Sequence, residues 1–518
     1  MSQRWHALLW LVTALVVAPL CLPGWMPFCD LPEHAASMGS IAHWYDPGYG
    51  IQEHYQMGWT TSQYLLLHIV GGVLTKMTGS LDVALRILLL GLAVAWVQSL
   101  RFMLKSFGGD ERLAILGALL FWNRALVLGF LPYIASLPLL FTTLGLFVAE
   151  EAPSRWRQAG LAACGVLVFY THASAFTLLG AIVVSLAVVQ SGVRGAIRRL
   201  LWMVPAGVFA TLWLLRGRFA MHGNNIHDAS EIGTMSPLRA MKVMAPWSHD
   251  IWTSHVDDVI GVAFWLAFLV LVATQKQALQ KLGLRRGLLP VAPLLVGLAV
   301  YLMTPFRVGT GVLLNVRMAP VLAAFALLAL RPRDGWLGRA PILAGAVLAL
   351  VQSADNVQHV RHFQRDVDGV RELLAEMPRG AKLISLNFSG FDPNEVHFPA
   401  WIYAGSYHRA YDGGVASFSF SELPHWSVQY EAETAPPKQD AIAWAMAPCL
   451  YRNVRDGAYF DFMLVRGAVD PFRDAPLGPR WKVRGKTAKF VLYEKDTAEP
   501  DNTEGADDGI CRGLQPKA

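Results

Sequence analysis

About twelve apolar runs, each long enough or nearly long enough to cross a bilayer, dominate this chain: near 7–24, 60–77, 83–104, 112–131, 132–149, 158–171, 173–190, 200–216, 258–274, 287–305, 312–330 and 340–354. A backbone in lipid has no water to bond, so such runs must be helices, and the membrane domain is all-α and polytopic. Composition agrees. Of 518 residues, 54% are hydrophobic and 16% charged, against roughly 25% charged in an average soluble domain, and the mean hydropathy is +0.36. The net charge of +6 does not point to nucleic acid. Lys and Arg fall in short clusters between the runs (Arg194, Arg198 and Arg199; Lys276, Lys281, Arg285 and Arg286; Arg331, Arg333 and Arg339), as cytoplasmic loops do.

The start, MSQRWH followed by an apolar run to Leu22, offers no small-residue cleavage site. It reads as a retained first span with the N-terminus inside. That orientation makes two long loops external, 25–59 and 217–257, and the tail after 354 as well. A chain that starts inside and ends outside needs an odd number of crossings. The weakest run is 112–131, because Asn123 and Arg124 sit at its centre, where an Arg costs about 2.5–3.5 kcal/mol. Eleven transmembrane helices are expected, with 112–131 re-entrant. Thus 1–354 is the polytopic domain and 355–495 a small α/β extracytoplasmic domain, with strands at 382–388 and 460–466, a short helix at 400–409 and a closing hairpin over 481–493. Residues 496–518 read as a disordered tail.

The loop Pro27–Trp59 holds the strongest candidates for chemistry. It carries Asp30, Glu33, Asp46 and Glu53, with His34, His43 and His54, and no Lys or Arg. Asp30 and Glu33 at i, i+3 are placed to converge on one point, to take a proton from an attacking hydroxyl or to hold a divalent cation such as Mg or Mn. A long solvated loop carries acids for no such reason, and that reading stays open. Asp46, in YDPGYG, reads as a turn former.

Basic partners lie in PFRVGTGVLLNVRMAP. Arg307 can snorkel from its span end; Arg317 lies deeper and calls for an anion, for which a lipid phosphate suits a forked guanidinium. Asn123, Arg124 and Tyr133, in FWNRALVLGFLPYIASLP, and His172, in FYTHASAF, are candidate cavity residues or polar groups that satisfy kinked backbone. No phosphate-cradling Gly-rich loop, HExxH or nucleophile elbow is present. His359, His362 and Asp366 share a helical face but alternate with Arg361 and Arg365, as a solvated helix does. Trp401, Tyr403, Tyr407, Tyr411 and Trp426 read as domain core in preference to a sugar platform. Of five cysteines, Cys449 and Cys511 lie in the tail, either paired or free.

Four segments carry a resemblance: CDLPEHAASM after the first run, NRALVLGFLPYIASLPLLFTTLGL, FYTHASAF and LLNVRMAPVLAAFALLAL. Together they resemble the GT-C superfamily of polytopic membrane glycosyltransferases, in a bacterial branch, over roughly residues 1–350. The resemblance implies inverting transfer of a sugar from a polyprenyl-phosphate donor to a lipid, glycan or protein acceptor. It places the chain in a bacterial inner membrane, with its C-terminal domain periplasmic and membrane lipids around it. Asp30 would be the catalytic base, Glu33 or His34 a neighbour orienting it or the acceptor, and Arg317 with Arg307 the holders of the lipid phosphate. Leu31 and Pro32 separate Asp30 from Glu33, where related loops often have adjacent acids, and this puts metal dependence in doubt. The rival readings are a multi-pass transporter or lipid-handling protein, which should show paired halves with broken helices, and a non-catalytic envelope scaffold.

Overall fold

The computed structural model describes residues 1–149, 154–220, 232–275, 284–309, 311–389, 397, 399–417, 419–423, 425–437, 448–467, 470–472, 477–498 and 510. The chain divides into two compact units. The first comprises Met1–Pro23, Ser62–Leu67 and Arg86–Arg361, the second Gly24–Thr61, His68–Leu85 and His362–Ala518.

The first unit is helical. Among the described residues, six helices in the protein are long and apolar enough to cross a bilayer: Gln3–Cys21, Leu81–Ser106, Leu131–Val148, Ala173–Arg199, Val256–Thr274 and Trp336–Asp366. Shorter apolar helices cover Leu65–Thr78, Leu201–Arg216, Gly287–Met303 and Val316–Leu328. The run 112–131 is not one helix but short turns, Glu111–Leu113, Ala114–Ala118, Leu119–Phe121 and Arg124–Val127. Nearly every residue in it is buried. Interrupted backbone is tolerated at membrane depth when protein surrounds it and side chains take up the freed groups. Asn123 does this here: its amide donates to the Leu120 and Phe121 carbonyls, each at 2.9 Å, and its oxygen accepts from Leu126 N–H.

The second unit is discontinuous, which the sequence did not announce. A five-stranded sheet runs in the order Val415–Ala416, Lys382–Asn387, Phe462–Arg466, Phe490–Asp496, Arg480–Lys486. Lys382–Asn387 is parallel to both neighbours and the remaining pairs are antiparallel. Its core of Ile384, Leu386, Tyr403, Met463 and Val465 also takes in Cys29. The expected loop is therefore structured. Leu31–Ala42 is a twelve-residue helix (the Asp30 helix), and Tyr55–Met57 pairs antiparallel with Val428–Tyr430. Glycines let the Asp30 helix pack at backbone distance. A Cβ at Gly39 would lie 2.1 Å from the Ala410 carbonyl oxygen, and one at Gly71, on the helix Leu65–Thr78, would lie 2.3 Å from the Met38 sulfur.

Several boundaries move. The expected division at 354/355 falls inside the helix Trp336–Asp366, and the loop 25–59 groups with the tail. His68–Leu85 also groups there, so most of the expected span 60–77 does too. The strands and hairpin of the tail lie where the alternation put them, while the short helix begins later, at Ser406–Asp412. Trp401, Tyr403, Tyr407 and Trp426 are buried, as core residues are. Asp366 is not on a solvated face: it is buried and ion-paired to Arg466 at 2.6 Å. Cys449 carries a disulfide; Cys511, 221–231 within the second loop and most of 496–518 lie outside the described residues.

Candidate functional site

In the second unit, Asp30 is the N-cap of its helix, and Pro32 holds the first turn open to a cap. Its carbonyl accepts from the Glu33 and His34 amides at 3.1 and 3.2 Å. The side chain makes no cap hydrogen bond and the residue is half-buried. An anion here gains from the helix dipole. The buried Cys29 thiol and Tyr403 phenol lie beside the carboxylate. Burial pushes both well above their ordinary values, and the Asp30 charge adds to each shift.

Glu33, one turn on, has a different environment. It is fully buried. Ser406 Oγ donates to one carboxylate oxygen, while Ser419 Oγ at 2.9 Å and Phe420 N–H at 2.8 Å donate to the other. Arg409 donates to Ser419 and Ser421, each at 2.7 Å, and its guanidinium sits 4.2 Å over the Tyr55 ring. Burial raises the Glu33 pKa, and Arg409 with the three donors opposes that shift. The expectation that the loop acids lack a cation is corrected: the cation comes from 376 residues downstream (409 − 33). Both Glu33 oxygens already accept protein donors, so Glu33 does not fit as a ligand for Mg or Mn. Its chemistry is that of a structural anion.

His34, on the same helix, is buried and faces His68 nitrogen to nitrogen at 2.8 Å. Asp46 accepts from His43 at 2.7 Å and stands at the start of the short turn Pro47–Tyr49, where its carbonyl accepts the Tyr49 N–H at 3.1 Å, as its turn-former reading expects.

In the first unit, Arg317 is buried. Its Nε donates to the Leu313 carbonyl at 3.1 Å, one Nη to the Val312 carbonyl at 2.6 Å, and its face lies 4.2 Å over the Phe130 ring. Leu313 holds φ at +60° to aim those carbonyls, a left-handed conformation that costs a non-glycine residue about 1–2 kcal/mol. The other Nη meets His172 Nε2 at 3.4 Å. His172 caps the helix Ala173–Arg199, and its Nδ1 accepts the Ser174 N–H at 3.2 Å. A neutral imidazole with Nδ1 accepting carries its proton on Nε2. Two donors therefore converge. Tyr133 packs edge-on to His172 with ring centroids 5.2 Å apart, and its buried hydroxyl has no hydrogen-bond partner among the described residues.

The other sequence candidates divide. Arg307 pairs across a small ladder with Val312, and its Nε donates to the Gly309 carbonyl at 2.9 Å. Asn123 is spent on capping. Arg124 forms an ion pair with Asp250 and donates to its carbonyl at 2.8 Å. Asp250 was legible only as one acid in the second loop, yet an Arg in an apolar run demands such a partner.

No family model matches the sequence, and no curated relative matches it. Among solved structures, the chain is similar to ArnT from Cupriavidus metallidurans bound to undecaprenyl phosphate, with TM-score 0.55 at 12% identity over 95% of this chain and 97% of that one. It is also similar to the arabinofuranosyltransferase AftD from Mycobacteria, with TM-score 0.50 at 15% identity over 95% of this chain and 40% of that one. The chain shares the fold of these two proteins.

Proposed function

We propose that this chain is a membrane glycosyltransferase that moves a sugar from a polyprenyl-phosphate donor to an envelope acceptor, with inversion, on the extracytoplasmic face of a bacterial inner membrane. The observation that carries the reading is the convergence of Arg317 and His172 Nε2–H beside the orphaned Tyr133 hydroxyl. These three donors converge as a cradle suited to a phosphate oxygen. As the sugar–phosphate bond breaks, charge grows on the departing lipid phosphate, and fixed donors stabilise it without reorganising. ArnT, over 97% of whose length this chain aligns, is bound to undecaprenyl phosphate in that structure, which supports the lipid class.

Asp30 is the general base in this reading. It is half-buried and uncommitted to a cap, and it takes the acceptor hydroxyl's proton as that oxygen attacks the anomeric carbon. Glu33 holds the helix and His34 lies behind it. The chain crosses eleven times with its N-terminus inside. The buried, broken 111–128 segment counts as a crossing, and the helix Leu65–Thr78 does not, because His68–Leu85 groups with Gly24–Thr61 and the tail. Purified protein is incubated with synthetic undecaprenyl-phosphate-linked pentoses and hexoses, and release of undecaprenyl phosphate is followed. Asp30→Asn should abolish release and Arg317→Ala should weaken donor binding. Full activity of Asp30→Asn in membranes sinks the assignment.

A further inference from the structure

One turn along the helix from Asp30 begins a chain of three buried groups that the transfer reaction as described does not use. His34 Nδ1 meets His68 Nε2 at 2.8 Å, and His68 Nδ1 meets Ser427 Oγ at 2.5 Å. All three residues are at most 2% exposed. Trp426 holds both imidazoles, with ring centroids 5.1 Å from His34 and 5.0 Å from His68. Its indole N–H donates to Ser37 Oγ at 2.8 Å, which ties the stack to the Asp30 helix.

Two imidazoles facing nitrogen to nitrogen must share one proton, so one donates and the other accepts. The outer nitrogen of each ring then takes the complementary state. A serine hydroxyl at the end can donate or accept. The chain therefore has two complete proton orders of equal net charge, and a proton entering at one end converts one into the other. A histidine that is merely packed has no need of that degeneracy. The far end lies near solvent: Gly58 N–H donates to the Ser427 carbonyl at 2.8 Å, and the next residues, Trp59 and Thr60, are exposed.

We infer that His34, His68 and Ser427 form a proton relay that empties Asp30 between turnovers, an inference that rests on the reading of Asp30 as base. The protonated Asp30 carboxyl gives its proton through water to His34 Nε2, one helical turn on. The Nδ1 proton of His34 passes to His68 Nε2, the Nδ1 proton of His68 to Ser427 Oγ, and the serine's own proton to water at the exposed turn. One proton leaves, no charge accumulates, and the chain is left in the opposite proton order, which rotation of the two imidazoles and the serine hydroxyl resets before the next passage. His34, His68 and Ser427 are positioning and relay groups; the sugar-transfer bonds are made and broken elsewhere.

The test uses full-length protein in nanodiscs, with release of undecaprenyl phosphate from a synthetic undecaprenyl-phosphate-linked sugar as readout. His68→Gln should lower kcat by about 100-fold, the low end of the range for a positioned proton carrier, with KM unchanged. Ser427→Ala should lower kcat and Ser427→Thr, which keeps the hydroxyl, should restore it. His68→Gly should regain activity with added imidazole. Packing alone predicts equal losses in Ser427→Ala and Ser427→Thr and no imidazole rescue, and either outcome overturns the relay. Turnover that dies in Asp30→Asn but is untouched in Ser427→Ala also overturns the relay and leaves the base standing. Turnover that survives Asp30→Asn overturns the base reading and the relay with it, as does a native protein that turns over none of the donors.

Discussion

Arg317 and His172 face each other through two donors, an Nη–H and an Nε2–H 3.4 Å apart, with the hydroxyl of Tyr133 buried and unpartnered among the described residues nearby. A buried hydroxyl without a partner forfeits about 1–3 kcal/mol. Tyr133→Phe should therefore leave the thermal midpoint unchanged or raise it, while weakening undecaprenyl-phosphate binding about tenfold, the worth of one hydrogen bond of about 1.4 kcal/mol. Differential scanning fluorimetry and lipid titration on the same preparation check both halves. A variant that loses stability and binds the lipid normally would remove Tyr133 from the cradle.

Glu33 should show itself in the pH dependence of stability. Burial raises its pKa above the ordinary 4.5, so between those two values the folded chain binds more protons than the unfolded one. Stability then falls as pH rises through that window and levels off above the folded value. Thermal unfolding in detergent from pH 4.5 upward should show this fall in the native protein and lose it in Glu33→Gln. Glu33→Ala should be far worse, by about 3–5 kcal/mol, because it strands Arg409 in a buried site. If Glu33→Ala is as stable as native and instead loses activity that excess Mg restores, Glu33 is a ligand and the structural role is wrong.

The membrane helices were legible because period and hydropathy are local properties, and so were the tail's strands, whose alternation survives in Lys382–Asn387 and Phe462–Arg466. Asp30 could be singled out as the first acid beyond the opening run, and Arg317 as a buried cation in an apolar segment. Glu33 read as a neighbour of Asp30 or a cation ligand, with a solvated acid as the alternative, because its partners, Arg409, Ser406 and Ser419, lie more than 370 residues away, and no local pattern encodes such a pairing. The same distance hid the second unit, in which Cys29 joins a sheet built after residue 380. Asn123 and Arg124 looked alike as polar residues in an apolar run. Only coordinates separate a capping amide from an ion pair with Asp250.

The Asp30 helix is held by close backbone approach, which makes Gly39 a sensitive position. A Cβ there would lie 2.1 Å from the Ala410 carbonyl oxygen, a contact with backbone that no side-chain rotation relieves. Gly39→Ala gains helix propensity of about 1 kcal/mol, yet overpacking against backbone costs typically 1–3 kcal/mol or more, so the net sign is destabilising. The helix Leu31–Ala42 should move off Ser406–Asp412, and Asp30 with it. Lower stability together with a fall in kcat is the expected pair of results. A stabilised, fully active Gly39→Ala would show that this approach does not set the helix position.

The helix Leu65–Thr78 decides the topology. Read from hydropathy, 60–77 is a crossing whose far end lies in the cytoplasm. Yet His68–Leu85 belongs to the unit that contains Gly24–Thr61 and the tail. Within it, Arg371 pairs with Asp82, whose other carboxylate oxygen takes the Tyr411 hydroxyl at 2.7 Å. Residues that bond to a domain fold on that domain's side of the bilayer, because ionised groups do not reach partners through lipid. Met77 is 77% exposed near the end of this helix, so Met77→Cys should be labelled by a membrane-impermeant maleimide added to spheroplasts, as should a cysteine in the tail. A cysteine at Arg198, in the cluster read as cytoplasmic, should react only after lysis. If Met77→Cys instead follows Arg198→Cys, the helix crosses and the count of eleven must drop a different segment.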